Sequence, residues 1–172
     1  MKNYVIYLVV IAGAVILGCT NPFAPALKEG DDIGLVLSDQ MTVDGVFQNW
    51  RYAYILKDTL VYGRLLANDF YFSYTDFEDD VPIEKRLVRQ EDMIVTNRLF
   101  NNTGNIDLVW NDAILAIGDS LEQTISRVFN LQVFFDATSS ERIQGRATVN
   151  LKRATTADIW KMTSWIDESN IQ

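Results

Sequence analysis

The sequence predicts an α+β fold, because apolar residues recur at helical spacing in its first half and alternate with polar ones in its second half. Val43, Val46, Phe47 and Trp50 follow one another at steps of three and four residues, as on one face of a helix. Residues 143–151 instead alternate between apolar or small and polar side chains. Such alternation is typical of an antiparallel strand with one buried face. Hydrophobic residues make up 48% of the chain, enough for a substantial core.

The composition excludes several classes of site. The 172-residue chain has no histidine and a single cysteine, so His-based triads, His-ligated metals and an intrachain disulfide are excluded. The net charge of −8 argues against binding of a nucleic acid, which requires clustered Lys and Arg. No glycine-rich phosphate loop is present either, so we expect no cofactor and no metal.

The amino-terminal segment predicts export. Lys2 precedes an uncharged, mostly apolar run from Tyr4 to Leu17, which is too short to span a bilayer comfortably and fits the apolar region of a signal peptide. The run ends in Ile-Leu-Gly-Cys at residues 16–19, which resembles the bacterial lipobox. The alternative is an ordinary signal peptide or an uncleaved anchor with a coincidental cysteine. The expected domains are a lipoprotein signal peptide (1–18), the lipidated Cys19 with a tether (19–40) and a folded domain (41–168).

The lipobox resemblance implies that Cys19 is diacylated and becomes the first residue of the mature protein. Acyl chains on this residue would hold the chain on a membrane, since each buried methylene adds about 0.8 kcal/mol. In diderm lipoproteins, which this segment resembles, Asp after the cysteine signals retention, so the resemblance implies that a chain with Thr20 passes to the outer membrane, facing the periplasm. The acidic body would not bind anionic lipids by itself.

The expected elements follow from the pattern in chain order. They are a helix over 42–57, a short helix capped by Asp58, a strand over 70–75, a charged loop over 76–86, a helix over 90–100, and strands over 106–110, 129–135, 143–152 and 160–166. Trp160 and Trp165 are five positions apart, so on one continuous strand they would point to opposite faces. One of them is therefore a candidate for exposure at a subunit contact.

Two stretches of this domain resemble the nuclear-transport-factor-2-like (NTF2-like) superfamily. Leu65–Phe70 (LLANDF) is similar to its entry into the first strand, and residues 146–153 followed by 158–165 are similar to its two closing strands. The expected order of helices and strands is also similar to that of this superfamily. The resemblance implies three helices packed on a curved antiparallel sheet, forming a cone with a pocket at its open end. Members include isomerase-like and dehydratase enzymes and many proteins that only bind or scaffold.

Candidate site residues are of two kinds. The large side chains expected to line a pocket are Trp50, Tyr54, Phe70, Trp110 and Phe134. A buried carboxylate could act as a general base beside a tyrosine that donates to an oxyanion, and the groups considered for this are Asp58, Asp69, Asp107, Asp112 and Asp136, with Tyr52, Tyr54 and Tyr71. The alternative is that these residues cap helices and fill the core. The acidic stretch 76–80 could supply oxygen ligands to a cation, or be a solvated loop.

The leading hypothesis is a membrane-anchored lipoprotein without catalytic activity, whose domain binds a small apolar ligand or an envelope protein. One alternative is a periplasmic isomerase or dehydratase that uses a buried Asp/Tyr pair. The other is a structural subunit that assembles, as a homodimer or otherwise, through the face of its sheet. A wide apolar cavity would favour the ligand, and a large apolar patch on the sheet would favour assembly.

Overall fold

A computed structural model describes residues 36–77 and 81–168. Cys19, the signal segment and most of the tether lie outside the described residues, as do residues 78–80 of the acidic stretch. The described elements are α1 (Val43–Ile55), α2 (Thr59–Leu65), β1 (Leu66–Asp76), β2 (Ile83–Val88), α3 (Arg89–Asn102), β3 (Asn105–Gly118), β4 (Glu122–Phe134), β5 (Ser140–Lys152) and β6 (Lys161–Asp167). No helix in these two ranges is long and apolar enough to cross a membrane.

The described strands form one six-stranded sheet in the order β2-β1-β6-β5-β4-β3. Every neighbouring pair is antiparallel except β1 and β6, which are parallel. The sheet is therefore mixed, where the sequence predicts a curved antiparallel one. The parallel pair is possible because one helix and four strands separate β1 from the return of the chain as β6.

Strand β2 begins at Ile83, inside the expected loop over 76–86, and ends two residues beyond that loop, at Val88. It was missed because it is an edge strand whose residues are all exposed except the partly buried Leu87. Without a buried face there is no alternation to detect, and charged side chains are typical of edge strands. Strand β1 also begins earlier than expected, at Leu66 rather than Phe70.

Helix α1 forms as its apolar spacing predicts. Thr42 caps it by accepting the backbone N–H of Gly45, and its buried face includes Val46, Phe47, Trp50, Ala53 and Tyr54. This face packs against the sheet. Arg51 Nε also donates to the carbonyl of Leu108 at 2.9 Å, which fastens the helix to β3. The helix therefore forms one wall of a cone whose other walls are strands.

Both Trp160 and Trp165 contribute to the core, so the expectation that one of them is exposed is wrong. Trp160 precedes β6 and is buried. Within β6, Met162 lies opposite Leu151 and Trp165 opposite Val149, with a register shift between them. The shift inserts one extra residue in β6, which brings Met162 and Trp165 to the same, helix-facing side although they are three positions apart.

Gly118 is expected to be irreplaceable by alanine, because its φ of +132° is strained for an L residue. A Cβ there would also overlap the carbonyl oxygen of Glu122, the first residue of β4. Gly118→Ala should lower the free energy of unfolding by about 1 to 3 kcal/mol in denaturant titration.

Gly63→Ala is the matched control. Its Cβ would meet the flexible end of Met93 at 3.1 Å and the guanidinium of Arg89 at 3.7 Å, both of them side-chain atoms, and alanine favours the helix by about 1 kcal/mol. An equal loss of stability in the two variants would contradict this interpretation of Gly118.

Candidate functional site

The inside of the cone is filled by a cluster of aromatic rings. Trp50 on α1 lies 4.7 Å from Trp110 on β3 and 4.8 Å from Trp165 on β6, measured between ring centroids. Trp165 in turn lies 4.4 Å from Phe72 on β1, and Trp110 lies 5.7 Å from Phe129 on β4. Two of these four pairs, Trp50–Trp165 and Trp110–Phe129, meet edge to face, which is a favoured arrangement of aromatic rings. One set of rings thus joins α1 to four strands.

This packing leaves a cavity of only about 20 Å³ inside the cone. Its lining residues are Trp50, Tyr54, Leu108, Trp110, Phe129, Leu131 and Trp165. Sites for small molecules usually enclose roughly 300 to 1,000 Å³. The cavity is therefore too small for an apolar ligand unless the rings move.

Three of the five residues expected to line a pocket surround this cavity, namely Trp50, Tyr54 and Trp110. Phe70 is buried in the core but does not reach the cavity. Phe134 follows the core residue Val133 on β4 and so lies on the opposite face of the sheet. The alternation of Leu131 and Val133 with Gln132 and Phe134 in the sequence agrees with this face.

Larger hollows lie outside the cone. The outer face of the sheet is the face turned away from the helices. A surface pocket of about 660 Å³ lies on this face, and its lining includes Thr75, Gln144 and Arg146. Arg146 pairs there with Glu168 at 3.6 Å. This open hollow has a mixed lining with several charged groups, so it does not match the apolar site that the sequence predicts.

None of the five carboxylates considered from the sequence lies in the cone. Asp58 caps α2 by accepting from the backbone N–H groups of Leu60 and Val61. Asp136 accepts from Thr138 and Ser139 in the turn after β4, and these hydrogen bonds lower its pKa. The remaining three are exposed on β1 and β3: Asp69, Asp107 and Asp112.

The tyrosines considered from the sequence are separated in the same way. The hydroxyl of Tyr52 accepts from the side-chain amide of Gln48 at the exposed side of α1. The ring of Tyr71 stacks against the guanidinium of Arg86, with 3.4 Å between Arg86 Cζ and the ring centroid. Only Tyr54 is buried beside the cavity.

A buried carboxylate that the sequence reasoning missed does meet a tyrosine. Asp92 on α3 is 3% exposed, and its Oδ2 accepts from the hydroxyl of Tyr62 on α2 at 2.9 Å. The ring of Tyr54 lies 5.8 Å from that of Tyr62, in an edge-to-face contact. The Asp92–Tyr62 pair thus lies between α2 and α3, and Tyr54 stands between the pair and the cavity. The pair does not itself line the cavity.

Burial dominates the electrostatics of this pair. It raises the pKa of Asp92 to about 6, while the hydrogen bond from Tyr62 acts in the opposite direction. Burial also raises the pKa of Tyr54 and Tyr62 well above the usual range.

The sequence contains a signal for the burial of Asp92. Asp92, Thr96 and Phe100 follow each other at four-residue steps and form the buried stripe of α3.

Three cations meet at the end of α2. Arg89 donates to the carbonyl of Gly63 at 2.9 Å, and Lys161 donates to the carbonyl of Arg64. Burial and then the nearby charges of Arg89 and Arg64 lower the pKa of Lys161. Cations at a helix C-terminus satisfy its free carbonyls, which gives this cluster a structural role.

The outer face of the sheet is largely polar. Thr124 donates to Asn150 at 2.6 Å, and Asn150 donates to Ser164 at 2.7 Å, so a hydrogen-bonded row crosses β4, β5 and β6. Thr148 and Ser126 form a second contact of this kind at 3.1 Å. The large apolar patch that assembly through this face would predict is not found on these described strands.

Comparisons of the sequence with protein-family models and with curated proteins give no match. Solved structures, in contrast, are similar. A candidate scytalone dehydratase from Novosphingobium aromaticivorans has a TM-score of 0.62 at 8% identity, over 75% of this chain and 82% of that one. A candidate dehydratase of the NTF2-like family from Streptomyces avermitilis has a TM-score of 0.57 at 14% identity, over 76% and 95%.

An NTF2-like protein of unknown function in nutrient uptake from Rhodospirillum rubrum has a TM-score of 0.59 at 14% identity, over 76% of this chain and 99% of that one. At such identities the likeness concerns the fold and not the activity. The described domain has the NTF2-like fold: helices followed by a curved, unclosed mixed sheet.

Asp92→Asn should stabilise the protein at neutral pH but not at pH 4. Because the folded-state pKa of about 6 lies above the usual value of 3.8, the fold prefers the neutral carboxyl. The resulting penalty is absent below pH 4, grows as pH rises to about 6, and then stays constant. Asparagine removes it and can still accept from Tyr62, so we expect a gain of about 1 to 3 kcal/mol at pH 7 in denaturant titration.

Tyr62→Phe is the companion variant. It leaves Asp92 without its donor and should cost about 1 to 3 kcal/mol at pH 7. A loss of stability in Asp92→Asn that is the same at pH 4 and pH 7 would show that the carboxyl is ionised without penalty.

Proposed function

We propose that the chain is a lipid-anchored protein of the bacterial cell envelope whose NTF2-like domain binds a protein partner and does not catalyse a reaction. Acylated Cys19 would hold it on the outer membrane, facing the periplasm. The observation that carries the second part is the filled cone, because rings of the protein itself occupy the volume in which a substrate or ligand would bind. The absence of histidine and of a free catalytic cysteine agrees with this.

The anchor is tested by metabolic labelling with a clickable palmitate analogue. Wild-type protein should take up label and float with membranes, and Cys19→Ser should do neither. Thr20→Ser keeps the thiol and is the matched control, which should be labelled like wild type. Equal labelling of Cys19→Ser and wild type would overturn the lipoprotein assignment.

The filled cone is tested with indole as a probe. Trp165→Ala should remove one ring of the cluster, cost about 2 to 4 kcal/mol and open a cavity. Indole should then raise the Tm of this variant in a saturable way and leave wild type unchanged. Phe135→Ala removes an exposed ring and serves as the control. Saturable binding of indole to wild type would show that the cone opens, and would return the apolar-ligand hypothesis to first place.

A second candidate is an isomerase or dehydratase, favoured by the buried Asp92–Tyr62 contact and the raised pKa of this carboxyl. Catalysis would require a path from the cavity past Tyr54 to the pair. In Trp165→Ala, a bound probe that shifts the pKa of Asp92 in a carboxyl NMR titration would support such a path. An unchanged pKa would argue for a structural pair.

Partner binding is tested on the lipidated chain in its own envelope. An amine-reactive cross-linker should give one discrete adduct, and the partner identified in it should form the same adduct with the purified chain. Pairing of two copies through the outer face of the sheet belongs to the same proposal, and its product would have twice the mass of the chain. Monomer alone under all conditions would contradict partner binding.

A further inference from the structure

The hairpin of β3 and β4 ends in an exposed aliphatic surface, the hairpin patch, formed by Ile114, Leu115, Ile117 and Leu121. Ile114 and Ile117 are 56% and 59% exposed. Every residue from 111 to 118 is exposed, on β3, which is one of the two edge strands of the sheet. Isolated apolar side chains at a surface are ordinary, but four branched ones within eight residues of one hairpin make it a candidate interaction site.

The patch lies at the end of the domain where the described chain begins. Arg153 connects the two: its Nε donates to Ser120 in the hairpin turn at 2.7 Å, and its Nη1 donates to the carbonyl of Met41 just before α1 at 3.4 Å. Its backbone N–H also binds the carbonyl of Leu121 at 2.9 Å. Arg127 on β4 pairs with Asp44 in the first turn of α1. The hairpin and the start of the domain are therefore held side by side.

The chemistry of the patch favours a lipid surface over a protein. Its side chains are aliphatic, whereas centres of protein interfaces are enriched in aromatic residues, Met and Arg. Strand pairing with a second copy is disfavoured by two register shifts in β3, between Trp110 and Ala113 and between Ala113 and Leu115, because such bulges twist an edge away from a new strand.

The neighbouring charges limit how deeply the hairpin patch could enter a lipid bilayer. Asp119 in the turn accepts from the backbone N–H groups of Leu121 and Glu122, and these bonds lower its pKa, so it stays ionised. Asp112 is exposed beside the patch. Charges of this kind belong at the level of the headgroups, where aliphatic side chains can still contact the acyl boundary.

We propose that the hairpin patch rests on the lipid surface and sets the orientation of the anchored domain. This rests on the proposed acylation of Cys19. The residues between Cys19 and Val36 could extend to roughly 55 Å, so the tether permits the contact without imposing it, and the aliphatic patch supplies the preference. Because the acidic neighbours repel anionic lipids, zwitterionic vesicles are the appropriate surface.

The test uses the full acylated chain in phosphatidylcholine vesicles, with an environment-sensitive fluorophore on single new thiols. Ile114→Cys and Ile117→Cys label the patch. Ile83→Cys on β2 and Ile94→Cys on α3 are matched controls, since these isoleucines are 47% and 45% exposed. Spin-labelled lipid should quench the two patch positions at least twofold more strongly than the controls. Equal quenching at all four positions would overturn the proposal.

Two other outcomes are separable. A thiol cross-linker that joins Ile117→Cys chains into dimers, without lipid quenching, would assign the patch to a second copy and overturn the lipid contact. A chain whose intact mass lacks acyl groups and which fails to float with vesicles would overturn the proposed function, and this inference with it. Floating chains with uniform quenching would overturn the inference alone.

Discussion

The contact of Trp50 with Trp110 and Trp165 is the interaction on which the rest of this domain depends. It fixes α1 against strands from both halves of the sheet, so the curvature of the sheet and the position of the helix are determined together. The indole N–H groups of these three residues have no hydrogen-bond acceptor among the described residues. The cluster is therefore held by ring packing and burial rather than by polar contacts.

The same cluster determines how much free volume remains inside the cone. In an NTF2-like fold the space between helices and sheet is the natural place for a site, yet here it is reduced to about 20 Å³. The buried Asp92–Tyr62 contact has the chemistry of an acid–base pair, but it lies between helices and does not line that space. Tyr54 thus lies between the buried carboxyl of Asp92 and the cavity.

Polar and apolar surfaces are also distributed in an unusual way. The middle of the sheet's outer face carries hydrogen-bonded Thr, Asn and Ser side chains, whereas the exposed aliphatic side chains of β3 collect on its outer strand and hairpin. Arg153 holds that hairpin against the start of the domain. The exposed aliphatic side chains of the hairpin and the residues just before α1 therefore lie at the same end of the domain.

The sequence by itself determined the fold class, helix α1 and the aromatic character of the interior. Apolar spacing and alternation report directly which face of an element is buried, as Val46 and Trp50 show. It could not reveal β2, whose side chains face solvent on both sides, nor the shared face of Met162 and Trp165, which a single extra residue in β6 creates. The four-residue spacing of Asp92 and Phe100 hints at a shared face of α3, but only the packing of α3 against α2 gives the carboxyl of Asp92 its contact with Tyr62. Local pattern determines which residues are hidden from water, but tertiary packing decides what they meet there.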